Sequence, residues 1–240
     1  MDQPRPNEGT RVVALSGSGM AKVVELPAHH DRDGSYRGIP APELTRPEAW
    51  STRRDEVMAY YDERRMATAP VLPSLAHEAL ARMQHALSSA RCTLATENID
   101  GMLLKASAER VAELHGSLFR LRCESDPDHP QPGIFGAQVP GTACRLCGAA
   151  MRPAVVWAGE PSIGLEAVRE QVRNCHVFLA VGTSAQSEAA SELIATARES
   201  GARTIAINPA PTGGPFDEVF AEPAEEAVPM LVARWLGDDG

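Results

Sequence analysis

Residues 11–19 read Arg11-Val12-Val13-Ala14-Leu15-Ser16-Gly17-Ser18-Gly19, a short apolar run that stops at a hydroxyl and two glycines spaced one residue apart. An apolar run of this length, bounded by a turn and followed by a helix-like stretch, reads as a fully buried strand feeding a helix. The same grammar recurs at residues 92–96 (CTLAT), 177–181 (VFLAV) and 204–208 (TIAIN), each run ending at a Gly, Ser or Asn-containing turn. Strands alternating with helices build a parallel α/β sheet, and such sheets bind ligands beyond the carboxyl ends of their strands. The pattern therefore predicts a Rossmann-like parallel sheet, with functional groups at and just after Ser16, Glu97, Gly182 and Asn208.

Two segments interrupt the alternation. Residues 47–69 carry helix formers behind Pro47, and residues 74–90 begin Ser74-Leu75-Ala76-His77, with Ser74 placed to cap a helix. Together they read as a helical insert. Residues 123–150 are rich in Pro and Gly and lack periodicity, so something other than a hydrophobic stripe must order them, and their cysteines are the natural organiser. The expected division is a sheet domain from 9–38, 86–120 and 153–240, a helical module over 39–85, and a metal-binding module over 121–152.

With 240 residues the chain can bury roughly 70 to 75% of the surface its unfolded form exposes, so it needs no disulfide framework. Its five cysteines, an odd number, read as thiols or metal ligands. A hydrophobic fraction of 43% with 23% charged residues is ordinary for a globular protein, and no apolar run approaches the ~20 residues of a membrane span. The first residues, MDQPRPNEGTR, have neither the basic flank nor the apolar stretch of an export signal, which leads us to expect a cytoplasmic protein. A formal net charge of −9 gives no electrostatic reason to bind nucleic acid. The composition thus predicts no nucleic-acid partner and no membrane association, and we expect a monomer.

The glycine turn at Gly17-Ser18-Gly19 suits close approach of a phosphate to the backbone, although the third glycine of the usual dinucleotide fingerprint is absent. At the next strand end stands Thr96-Glu97-Asn98-Ile99-Asp100-Gly101, three polar side chains where a ligand would lie. Further on comes Glu113-Leu114-His115-Gly116-Ser117, with His115 closing another apolar run. Then follow Cys144-x-x-Cys147-Gly148, Met151-Arg152-Pro153-x-Val155-Val156-Trp157-x-Gly159-Glu160, Val181-Gly182-Thr183-Ser184 and Ile207-Asn208.

In this order and spacing the motifs resemble those of the sirtuins, usually written Gln-Asn-Ile-Asp and His-Gly, across almost the whole chain. The resemblance implies an NAD-dependent protein-lysine deacylase acting on acyl-lysine proteins. It places NAD against Gly17, Ser18, Gly19, Arg37, Glu97, Asn98, Ile99, Asp100, Gly182, Thr183, Ser184 and Asn208, with Ala224 near the adenine. Asp100 would hold the nicotinamide carboxamide and Ile99 would pack beside it. The substrate peptide would pair as a strand with Val156, Trp157, Ala158, Gly159 and Glu160. His115 would act as general base and Asn98 would orient ribose and water, so that lysine and O-acyl-ADP-ribose are released.

A second resemblance sits in the helical insert, where Tyr60-Tyr61-Asp62-Glu63-Arg64-Arg65 is similar to the Tyr-x-x-Arg motif of sirtuins that prefer acidic acyl groups. Tyr61 and Arg64 would share one helix face and grip a succinyl or malonyl carboxylate. The family's structural zinc usually has four cysteines. Here Cys123, Cys144 and Cys147 supply three ligands, and Asp126 or His129 the fourth.

Three departures bear on activity. The cofactor loop is longer by about seven residues on this alignment and carries His29, His30, Asp31 and Asp33, which read as a solvated polar loop. Glu97 replaces the family's Gln, putting an acceptor-only carboxylate at the ribose. Ala158 replaces Phe in the Phe-Gly-Glu segment, opening the acyl channel. These keep two alternatives in view: NAD hydrolysis or mono-ADP-ribosylation on the same scaffold, and a non-catalytic NAD or ADP-ribose sensor.

Overall fold

The computed structural model describes residues 9–23, 34–210 and 216–237. In chain order its elements are β1 (Val12–Ser16), α1 (Ser18–Val23), β2 (Ser35–Tyr36), β3 (Ile39–Pro40), α2 (Pro47–Thr52), α3 (Arg54–Thr68), α4 (Leu75–Leu87), β4 (Cys92–Thr96) and α5 (Met102–Lys105). There follow β5 (Val111–Glu113), β6 (Gly116–Cys123), β7 (Met151–Val155), α6 (Leu165–Arg173), β8 (Val177–Val181), α7 (Glu188–Glu199), β9 (Arg203–Ile207), β10 (Glu218–Phe220) and α8 (Ala224–Leu236).

Six strands form one parallel sheet in the order β5-β4-β1-β8-β9-β10. The four apolar runs that led to this expectation lie on β1, β4, β8 and β9, with ends within one residue of those read from sequence. Every residue of β1 is buried, and successive residues face opposite layers. Val12 and Ala14 join a core with α4 and α8, whereas Val13 and Leu15 join one with α6 and α7. The chain progresses outward from β1 in both directions, so loops diverge at the β1/β8 boundary and leave a crevice at the strand ends.

Residues 74–90 are placed differently from the expectation. Helix α4 packs against α8 and buries Ala76, Leu80, Met83 and Leu87 in the sheet's own core, so it belongs to the sheet domain and not to a helical module spanning 39–85. Those four residues fall on one stripe of the helix, and the strand that follows, β4, runs directly beneath it. The capping expectation at its start is met differently again: Ser74 and His77 cap each other, with the Ser74 amide donating to His77 Nδ1 at 3.2 Å.

The remaining small module comprises the β2–β3 hairpin, α2 and α3, gathered around Tyr36, Leu44, Trp50, Tyr60, Tyr61 and Trp157. It is joined to the antiparallel pair β6–β7, whose partners run from Gly116 opposite Val155 to Cys123 opposite Met151 with a register shift between Gly116 and Leu121, and Cys144 packs with Cys123 and Met151 at the far end. No helix among the described residues is long and apolar enough to cross a membrane.

One buried charge pair fastens these parts. Arg65 of α3 is fully buried and ion-paired with Asp62, one turn earlier. Arg65 also donates to Leu118 O on β6 at 2.5 Å and to Gly136 O at 3.0 Å, and Asp62 Oδ2 accepts from the Gln138 amide at 3.0 Å. Gln138 Nε2 in turn reaches Met151 O on β7 at 2.6 Å. Removing one partner of such a pair leaves an uncompensated buried charge, so Arg65→Ala is expected to lower unfolding free energy by about 3 to 5 kcal/mol. Urea unfolding followed by circular dichroism measures this; a loss below about 1 kcal/mol would show that Asp62 regains water and that the pair does not fasten the module.

A candidate active site at the carboxyl end of the sheet

The β1–α1 turn and the loop after β8 are locked together through glycine. The Gly17 amide donates to Val181 O at 3.0 Å and the Gly19 amide to Gly182 O at 2.7 Å. A Cβ on Gly19 would stand 2.7 Å from the Gly182 Cα, and one on Gly182, at φ +60°, 2.7 Å from the Met20 nitrogen. The close approach that a third glycine in the turn usually permits is thus supplied across the sheet by Gly182. Asn208 Nδ2 donates to Thr183 O at 3.0 Å and Asn98 Nδ2 to Gly17 O at 2.9 Å, drawing the ends of β9 and β4 to the same place. Ser18 and Ser184 are exposed at the rim, and Ala224 is buried at the start of α8.

Around this turn the polar residues are mutually ordered. Glu97 accepts from Thr183 Oγ1 at 3.1 Å and from the Ser187 hydroxyl, so the carboxylate that replaces glutamine bridges two hydroxyl donors. Ser187 was missed by sequence reasoning; its only local signal is that of a helix cap, which it also is, accepting from the Ala190 amide at 3.0 Å. His115 Nδ1 lies 3.0 Å from Glu97 O. A carbonyl can only accept, so this nitrogen carries the proton, and it is in the neutral ring that Nε2 has a lone pair. The Asn98 amide rests on Thr96 Oγ1 at 3.0 Å.

Asp100 is buried, and only one of its carboxylate oxygens is used, by the Met102 amide at 2.9 Å; Oδ2 is buried without a partner. Burial raises its pKa, against the opposing pull of the Met102 amide, Lys105 and Arg64. Ile99 packs against the core of the small module. Arg37 stands apart from these groups on the β2–β3 turn, exposed, at φ +52° and ion-paired with Glu63. His29, His30, Asp31 and Asp33 lie outside the described residues.

The expected peptide-pairing segment is largely engaged by the protein itself. The amides of Val156, Ala158 and Glu160 donate to His115 O, Thr45 O and Trp157 O, each at 2.9 Å, and that of Trp157 to Glu160 Oε2 at 2.8 Å. The Glu160 carboxylate also pairs with Arg152 and Arg122. Trp157 is a core residue, its indole donating to Tyr61 Oη at 3.1 Å beneath the Arg152 guanidinium. Ala158 and Gly159 are exposed and face solvent. Tyr61 is buried, and burial raises its pKa. Arg64 lies over the rings of Tyr60 and Tyr61 and donates to Tyr60 Oη at 3.3 Å, while its Nε is buried without a partner.

In the metal module the donor atoms of Cys123, His129, Cys144 and Cys147 lie within 4.8 Å of one another. Asp126 is not among them, which corrects its assignment as a ligand: the short turn 126–129 brings the longer imidazole to the thiols and leaves the carboxylate behind it. Three thiols and an imidazole fit one structural zinc, with no ligand position left open for chemistry. Backbone amides of Leu146 and Cys147 lower the Cys144 thiol to about 6, favouring the thiolate a metal needs.

Comparison with known proteins agrees with this architecture. The Sir2 family model matches residues 17–189. An NAD-dependent protein deacylase of Aquifex aeolicus is 33% identical over 208 residues, covering 85% of this chain and 86% of its own. One from Shigella flexneri is 31% identical over 243 residues, covering 97% and 86%. The crystal structure of a Sir2 homolog–NAD complex superposes with a TM-score of 0.84 at 27% identity, over 96% of this chain and 91% of that one. The chain belongs to the Sir2 family.

The half-used carboxylate of Asp100 yields a stability test. Its folded pKa is raised above the unfolded value near 3.9, so ionisation penalises the folded state; the penalty is absent below that pH and complete once pH exceeds the folded pKa. Asp100→Asn should therefore stabilise the ligand-free protein at pH 8 by about 1 to 3 kcal/mol and make little difference at pH 4. Urea unfolding at the two pH values checks it, and equal effects at both would remove the charge from the explanation.

Proposed function

We infer that the protein removes acyl groups from protein lysines in an NAD-dependent reaction, releasing nicotinamide and O-acyl-ADP-ribose. The observation that supports this reading is that Asn98 and, through Glu97 and Thr183, His115 are tied to the crevice where Gly17, Gly19 and Gly182 interlock, while Asp100, with one unpartnered oxygen, lines a hollow together with Ser16 and Asn98. Bound NAD would supply an electrophilic ribose carbon whose bond to nicotinamide is the one that breaks. Asp100 Oδ2 can accept from a carboxamide N–H, and the burial that raises its pKa also keeps water from that end of the site. Glu97, already accepting from two hydroxyls, suits further donation from ribose. His115, with its proton held on Nδ1 by Glu97 O, offers Nε2 to a ribose hydroxyl. Asn98, anchored on Gly17 O, orients the ribose and the attacking water.

Incubation with NAD and a panel of acyl-lysine peptides, followed by mass spectrometry, tests the reaction. Deacylated peptide and O-acyl-ADP-ribose in equal amounts are expected; nicotinamide release without deacylated peptide would replace this reading by NAD hydrolysis or ADP-ribosyl transfer. His115→Ala should keep NAD binding and lower turnover by about 10²-fold or more, the usual scale for a positioned base. Undiminished turnover would remove His115 from that role.

For the acyl group we propose an acidic chain such as succinyl or malonyl. Support comes from Arg64, whose buried Nε lacks an acceptor, and from Tyr61. The Trp157 indole can only donate, so the Tyr61 oxygen accepts from it and keeps its own proton for a carboxylate. Ala158 leaves the exposed rim without an aromatic wall. Arg64→Met should depress activity on succinyl-lysine roughly ten- to a hundredfold and spare acetyl-lysine, as expected for one lost hydrogen bond to a charged group. Equal losses on both substrates would assign Arg64 to the fold.

A further inference from the structure

The metal module departs from four-cysteine chemistry in a way that gives Asp126 a specific task, independent of the reaction proposed above. Cys123 Sγ and Cys147 Sγ are 3.5 Å apart, and Cys144 Sγ is 3.3 Å from His129 Nδ1. A tetrahedral zinc with Zn–S bonds near 2.3 Å places neighbouring sulfurs roughly 3.8 Å apart, so small adjustments close the site around one ion. On the far side of the imidazole, His129 Nε2 is 3.3 Å from Asp126 Oδ2. The other oxygen of Asp126 accepts from the Asp128 amide at 2.9 Å, and the His129 amide donates to Asp126 O at 3.3 Å. The turn 126–129 therefore closes on itself and holds the carboxylate behind the ring.

We propose that this site is a three-thiolate, one-imidazole zinc site in which Asp126 is a positioning residue, fixing His129 with its proton on Nε2 so that Nδ1 faces the metal. A neutral imidazole has one acceptor nitrogen, and a carboxylate on the opposite nitrogen selects which one it is. That second partner also raises the basicity of the ligating nitrogen. It compensates for the neutral ligand that stands where a fourth thiolate would otherwise strengthen binding.

The test uses the full chain and metal ions alone. The purified protein should hold about one equivalent of zinc, and its cobalt-substituted form should show the visible bands of a tetrahedral three-sulfur, one-nitrogen site. Asp126→Ala should keep that spectrum while zinc affinity, measured by competition with a chromophoric chelator, falls about tenfold. This is the lower end of the range for such outer partners because Asp126 is partly exposed. His129→Cys supplies the control that still folds: its cobalt spectrum should become that of four sulfurs, and adding Asp126→Ala to it should change zinc affinity no further. The same tenfold loss in the His129→Cys background would show that Asp126 serves the turn and not the imidazole. Unchanged affinity in Asp126→Ala alone, or a His129→Cys spectrum identical to that of the starting protein, would overturn the proposal.

Discussion

The amide of Gly19 set against the carbonyl of Gly182 is the contact on which the functional end of this molecule depends. It holds the first and fourth strands of the doubly wound sheet at the point where their loops part. Because neither residue has a Cβ, the two backbones meet directly and the first turn of α1 is drawn down onto the sheet. Asn98 and Asn208 then use side-chain amides to bring two more strand ends to the same spot. The rest of the site is arranged outward from that junction: Glu97 by Thr183 and Ser187, His115 by the Glu97 carbonyl.

The second organising element is ionic. Arg65 and Asp62 lie on the same helix as Tyr61 and Arg64 but make their bonds to β6 and to the loop 136–138 of the metal module. The orientation of α3, and hence the direction in which Arg64 points, is set by a segment more than seventy residues away in sequence. Such a linkage costs desolvation of two charges, yet it fixes in one rotational setting a helix that buries the polar Asp62, Arg65 and Thr68 beside Val57, Tyr60 and Tyr61.

How much of this could be read in advance follows from the range of each signal. The buried strands are visible as apolar runs because burial on both faces writes itself into consecutive residues. His115, Asp100 and the glycines stand at strand ends and are found by the same logic. Helix α4 is equally visible as a helix, but its stripe says only that it packs, not on which core, and its assignment to the helical module failed for that reason. Cys123-x-x-Asp126 resembles a ligand pair by spacing alone; that His129 reaches the thiols instead is decided by the path of a four-residue turn. Ser187 could not be linked to Glu97, ninety positions away, because neither residue carries any local mark of the other.

The sheet's two boundaries have a meaning of their own. Its outermost strands, β5 and β10, are each only three residues long, whereas the four between them have five each. A strand that short offers an incoming chain little more than a single pair of unclaimed backbone groups on its outer side, too few to repay the entropy of ordering a partner. The longer apolar strands that would be hazardous at a border are kept in the interior. Strand length and charge thus act in one direction: a net charge of −9 opposes approach at a distance, and three-residue margins offer little backbone for a neighbour to pair with.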